Sequence, residues 1–297
     1  MTLDNPMQNL PLKPLLYSAI LLTLVCLISC GKDKTEPANK KLLTEIWSVS
    51  SQRDTSLLWY SFKYDDQARM TEFTDWRYNG PYNIVPSSGW PTETAKFSYS
   101  KNGLLSSIDM YYTDIYFNTQ YFKYSGNQVE QSEFVKDSGK SVITRTYNFS
   151  NSKELEKYRI KVLPFPDIQE TSLNYDAQGN MFYRKGLSFY DYSSDNGTHY
   201  SSGLKYDDKK GMMSNVNSAT PLWWFVAKYN YVNSYAYMFY THRNNVVELH
   251  DTLVGPAYPP EYETTYSYSY DKDGYPTSMK LLHGNQESAR FTFKYNQ

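Results

Sequence analysis

The sequence predicts an all-β fold, an antiparallel meander of about eight repeated hairpins forming a curled sheet or a large barrel-like structure. Three observations carry this expectation. A short pattern recurs along the chain: an aromatic residue, any residue, Tyr-Asp, a polar turn, then resumed alternation. Aromatic residues make up 17% of the chain and include 31 tyrosines, a composition suited to pleated, half-buried surfaces. No long stretch shows the 3.6-residue period of an amphipathic helix, and the best helix candidate is short, around Thr220 to Phe225.

The N-terminus reads as a targeting segment. Leu15 to Ile28 is an apolar run of about 14 residues. That is short of the ~20 that span a bilayer and suits a signal sequence. Leu27-Ile28-Ser29-Cys30 resembles the bacterial lipobox. The resemblance implies removal of residues 1–29, lipid on Cys30 and, with Gly31 rather than Asp next, an outer-membrane address. Residues 30–41 then form the lipidated Cys and a polar, flexible tether. Residues 42–297 form a single hairpin-repeat domain. Cys26 leaves with the signal and Cys30 carries lipid, so no thiol remains for a disulfide or a metal.

The repeats follow in order. Leu43, Trp47 and Val49 are expected on one face of the first strand, with Glu45 as the exception. Leu58, Tyr60, Phe62 and Tyr64 alternate with Trp59, Ser61 and Lys63, the period-two pattern of a half-buried strand. Asp65 to Ala68 is turn chemistry: Asp bonds its own backbone two residues on, and the small residue tolerates an awkward φ. Further copies turn at Ser100-Lys101-Asn102-Gly103, Ser125-Gly126-Asn127, Ser150-Asn151-Ser152, Asp176 to Gly179, Asp207 to Gly211 and Asp271 to Gly274. Asn102-Gly103 is a strong hairpin signal, because both residues accept positive φ. The copy at 150 lacks a glycine, and a seventh copy is expected near Phe239 to Val246. Anchors at 64, 99, 124, 149, 175, 206, 270 and 295 lie mostly 25 to 35 residues apart, room for one strand pair each. About sixteen strands would leave a lumen if closed.

An aromatic insertion at 212–243 breaks the rhythm. Its first half reads as an irregular loop and its second half, through Tyr235, Tyr237 and Phe239, as a strand. In a closed barrel it is a natural plug or lid. Trp223, Trp224, Phe225 and Tyr229 are the candidate ligand-binding residues, since Trp and Tyr offer a flat face for a sugar ring. The competing reading is that these rings only pack.

The hairpins resemble the YD repeats of Rhs-type shells. The whole layout resembles a domain family of unknown function in Bacteroidota lipoproteins, described as having a porin-like fold. The residues carrying this are Tyr206-Asp207-Asp208-Lys209-Lys210 before the insertion and Asn244-Asn245-Val246 after it. Such a resemblance implies a β fold and an envelope address and brings no activity.

Signals of chemistry are sparse. His199, His242, His250 and His283 lack metal-ligand spacing. Asp271-Lys272-Asp273-Gly274 begins like a calcium loop but lacks the distal Glu. Asp207-Asp208 and Glu261/Glu263 are paired carboxylates of the kind a glycosidase needs, in a chain with 31 acidic residues. No catalytic residue, cofactor or metal is therefore assigned. The net charge of -1 gives no reason to expect nucleic acid. The expected function is a non-catalytic, lipid-anchored envelope module that binds a glycan or an envelope protein. The alternatives are a porin-like outer-membrane barrel and an envelope hydrolase on a β scaffold.

Overall fold

Alternation of apolar and polar residues produces sixteen strands. In chain order these are β1 (Leu43–Val49), β2 (Ser56–Tyr64), β3 (Met70–Asp75), β4 (Glu93–Tyr99), β5 (Leu105–Tyr112), β6 (Ile115–Ser125), β7 (Gln128–Val135) and β8 (Ser141–Phe149). The second half comprises β9 (Leu155–Val162), β10 (Ile168–Tyr175), β11 (Met181–Ser188), β12 (Thr198–Tyr206), β13 (Val246–Val254), β14 (Glu261–Tyr270), β15 (Pro276–His283) and β16 (Gln286–Tyr295). One helix, α1 (Leu222–Lys228), lies between β12 and β13. The computed structural model describes residues 40–49, 56–76, 92–135, 141–162, 168–188, 198–217, 220–228, 243–254 and 261–296. The unit that holds the strands runs from Lys41 to Gln297.

Each strand pairs antiparallel with its chain neighbours, and β16 pairs with β1, so the sheet is a closed barrel. The two faces differ sharply. Inward, Phe62 stands opposite Phe73 and Phe73 opposite Ala95. Outward, Lys63 stands opposite Glu72 and Glu72 opposite Lys96. The core therefore sits inside the barrel, on rings such as Tyr60, Phe73, Tyr147, Tyr158 and Phe291.

The hairpins share one turn device. Asp65 N–H donates to the Arg69 carbonyl and Ala68 N–H to the Asp65 carbonyl, both at 2.9 Å. The Asp65 carboxylate accepts Gln67 N–H at 2.9 Å and Arg69 N–H at 3.0 Å. Asp176 and Asp271 repeat this pattern. The turn ends on a residue with positive φ, and a register shift follows: a three-residue loop with a bulge. The Asn102-Gly103 turn is of this same kind. Only Gly103 takes positive φ (81°), so the expectation that both residues would do so is corrected.

Two further expectations change. Leu43 and Ile46 are the fully buried residues of β1, whereas Trp47 faces outward under the Lys294 ammonium. A register shift between Leu43 and Glu45 moves the alternation by one residue, which no reading of strict period two anticipates. The expected seventh copy near Phe239 to Val246 begins outside the described residues, and its described end, at Asn245 and Val246, belongs to the sixth hairpin. Asp207 N–H donates to the Asn245 carbonyl and Asn245 N–H to the Asp207 carboxylate, both at 3.0 Å. That closes the sixth turn, and the insertion replaces its three loop residues. The expected Tyr235–Phe239 strand lies outside the described residues.

The ends of the unit make the eighth turn. Asn296 N–H donates to the Leu42 carbonyl at 3.0 Å, and Leu42 N–H donates to Asn296 Oδ1 at 2.6 Å. This is the Asp65 arrangement with the loop cut open. Eight turns thus rim one end of the barrel, of which the third, Gly126-Asn127, is a two-residue loop without the register shift.

Candidate functional site

Two layers inside the barrel, at and above the turn end, hold its distinctive chemistry. The lower one is a ring of tyrosines. Tyr64 O–H donates to the Leu43 carbonyl at 2.8 Å, Tyr99 to Met70 at 2.7 Å, Tyr206 to Met181 at 2.7 Å and Tyr295 to Pro276 at 3.0 Å. Each spans from one hairpin to the strand that precedes it. In the last full copy the donor is Tyr268, to Val246 at 2.9 Å, while Tyr270 bonds the Asp207 carboxylate. Burial raises the pKa of the Tyr64, Tyr99 and Tyr295 hydroxyls, and that of Tyr124, the corresponding residue of β6, to about 12.

The insertion fills the space above. Its entry is pinned at the rim: Asn217 N–H donates to the Ala68 carbonyl at 2.9 Å, and Thr220 Oγ1 accepts Met70 N–H at 3.0 Å. Helix α1 then lies among the wall rings. Trp223 packs on Tyr147 at 4.4 Å between centroids and also meets Phe122 and Phe149. Trp224 packs edge-on against Phe97, and Phe225 against Phe73 at 4.9 Å. Trp224 and Phe225 are 2% and 0% exposed. The three rings that the sequence singled out as ligand-binding are brought together by the fold, and packing accounts for their faces. Tyr229 and Cys30 lie outside the described residues.

The upper layer is polar and buried. Trp224 Nε1 donates to Gln120 Oε1 at 2.9 Å, and Gln131 Nε2 donates to the same oxygen at 3.0 Å. Tyr147 O–H donates to Gln131 Oε1 at 2.5 Å. Glu133 accepts Asn118 Nδ2 at 2.5 Å and Arg145 at 3.0 Å. Lys228, at the helix C-terminus, pairs with Glu93 and lies over the Trp224 ring. Across the barrel, Arg184 donates to Ser202 at 2.9 Å and is 1% exposed. Pairing within the layer offsets the cost of burying these charges. The sequence reading missed them, although a signal existed. Arg145 shares strand parity with Ile143, Tyr147 and Phe149, so it had to point inward.

The other candidate residues are dispersed. Asp207 closes a turn. Asp271 accepts turn amides and pairs with Lys41, 2.8 Å away. His250 is exposed opposite Glu263 on the outer face, and His283 Nδ1 lies 3.3 Å from Thr264 Oγ1. His242 is outside the described residues, as are the side chains of His199 and Glu261. Among the described residues no group of three His, Cys, Asp or Glu is placed to hold a metal.

No family model and no curated protein matches the chain. Two solved structures are similar to it. One is described as a porin-like protein from Bacteroides vulgatus ATCC 8482, with a TM-score of 0.42 and 10% identity, covering 86% of this chain and 99% of that one. The other is described as a porin-like protein from Bacteroides uniformis ATCC 8492, with a TM-score of 0.34 and 11% identity, covering 85% of this chain and 96% of that one.

Proposed function

We propose that the chain is a non-catalytic binding module, a plugged barrel that folds in water and is held at the outer membrane by lipid on Cys30. The observation that carries this reading is the outer face. Ion pairs cross neighbouring strands around the wall: Lys63–Glu72 at 2.6 Å, Lys157–Glu170 at 2.5 Å, Lys205–Glu248 at 2.6 Å and Lys294–Glu45 at 2.9 Å. Between them stand Ser and Thr pairs such as Thr74–Thr94 and Ser98–Ser107. A barrel in a bilayer needs the opposite, an apolar outer band about 25 Å tall. The large apolar side chains here point inward instead, against α1.

A second reading seats the barrel in the outer membrane. Closure at sixteen strands, with tight turns gathered at one end, favours it. One experiment separates the two. Residues 31–297, expressed without the lipid segment, should purify from aqueous buffer as a folded, monodisperse β protein. A product that stays insoluble until detergent is added would overturn the proposal in favour of the membrane barrel.

A further inference from the structure

The polar, charge-paired outer face gives way to a group of rings on β5 and β6. On β5 and β6 a strip runs down the outer face from the rim opposite the turns: Tyr112, Ile115 and Phe117 at the hairpin tip, Tyr111 opposite Tyr116 below it, and Tyr121 opposite Ser107 toward the turn end. Tyr121 is 53% exposed and Ile115 is 72% exposed. Thr113 and Asp114 both take positive φ, the tight two-residue turn that matches strand twist, so the hairpin is held rigid to its tip. Exposed rings grouped in this way mark an interaction surface.

The groups between the rings specify what it takes. Thr119 Oγ1 donates to Asp109 Oδ1 at 2.6 Å and lies 2.7 Å from the Tyr116 hydroxyl. Lys96 Nζ sits 4.5 Å from the Tyr111 ring centre, and Ser107 and Ser132 flank Tyr121 in register. Flat apolar faces therefore alternate with a carboxylate, an ammonium and hydroxyls along one strip. A hydrocarbon surface would take the Asp109 carboxylate and the Lys96 ammonium out of water, and an anionic lipid headgroup would meet Asp109 and Asp114. A pyranose ring suits both sets, because its C–H face is apolar and its edge is hydroxylated.

We propose that Tyr116 and Tyr121, with Asp109, Thr119 and Lys96, form a carbohydrate-binding strip on the outer face of β4 to β6. This rests on the reading of the protein as a binding module and gives that module a ligand class. The test is isothermal titration of the full chain, in mild detergent, with cellohexaose, xylohexaose, laminarihexaose and mannohexaose. At least one should bind, and Tyr121→Ala and Tyr116→Ala should each weaken it tenfold or more. Tyr121→Phe should retain most of the affinity, as should Phe182→Ala, an exposed ring on β11 outside the strip. Unchanged thermal melts of the variants would show that folding is intact. No binding by any of the four sugars, or affinity that survives Tyr121→Ala, overturns the proposal. So does dimerisation of the chain that Tyr121→Ala abolishes, because it assigns the strip to a second copy. Each of these failures is independent of whether the barrel dissolves without detergent.

Discussion

At the scale of single residues, the hairpin repeat separates into two jobs. The acid or serine after the tyrosine closes the turn, and the residue before the return strand takes positive φ. Asp65 shows the first job. Burial pushes its pKa up, but bonds from the Arg69 side chain and from the Arg69 and Gln67 amides outweigh that and hold it below the usual carboxylate range. The second job falls to Ala68, Gly103, Gly179 and Gly274, with φ from 59° to 82°, and in the degenerate copy to Lys153 at 71°. A side chain in that region is strained, and glycine is not. Lys153→Gly should therefore stabilise the protein by about 0.5–1 kcal/mol, read as a higher urea midpoint at unchanged slope. A lower midpoint would mean that the exposed Lys153–Asn127 hydrogen bond outweighs the strain.

At the scale of elements, α1 is short and has no acidic residue in its first turn. A helix of this length is marginal in isolation. Its stability comes from burying Trp223, Trp224 and Phe225 among rings of the wall, and from the Trp224–Gln120 bond and the Lys228–Glu93 pair. The plug in turn fills space that sixteen strands cannot fill with their own side chains. Phe225→Ala should cost about 3–5 kcal/mol in denaturant unfolding, the range for a large ring removed from a packed core. A cost below about 1 kcal/mol would show that the helix is not part of the cooperative core. The glycan affinity of the β5–β6 strip should survive this change, since the strip lies on the other face of the wall.

At the scale of the whole molecule, the barrel behaves as a ring of eight equivalent units whose last unit is completed by the chain ends. The hydroxyls of Tyr64, Tyr99, Tyr206, Tyr268 and Tyr295 tie their units to the preceding strand, while the fourth copy has Phe149 in this place, and these tyrosines are a shared vulnerability to base. Tyr64, Tyr99, Tyr124 and Tyr295 are kept protonated by burial, with pKa values raised above the ordinary value near 10. Unfolding releases them to that value, so their contribution is full below pH ~10 and falls as pH rises toward the folded-state values. Absorbance titration at 295 nm should resolve a late class of tyrosines that ionises together with loss of the β signal in circular dichroism, near or above pH 12. A smooth titration of all tyrosines near pH 10, with the fold intact, would contradict the buried ring.

The sequence by itself determined the strand count, the hairpin turns and the inward aromatic face. Those features are local: a two-residue period and an Asp with a following glycine act within a few residues of one another. It also marked the insertion as a break, and its Thr220–Phe225 helix candidate overlaps the observed α1. Only the tertiary structure decided what depends on distant partners. Closure required β16 to meet β1 and Asn296 to take up the role of a turn aspartate beside Leu42, 254 residues away. The register shift in β1, which turned Trp47 outward, follows from pairing with two neighbours at once. The burial of Trp224 and Phe225 likewise follows from the lumen around them. The inward positions of Arg145 and Arg184 went unread in the sequence, and the partners that make those buried charges tolerable come from other strands.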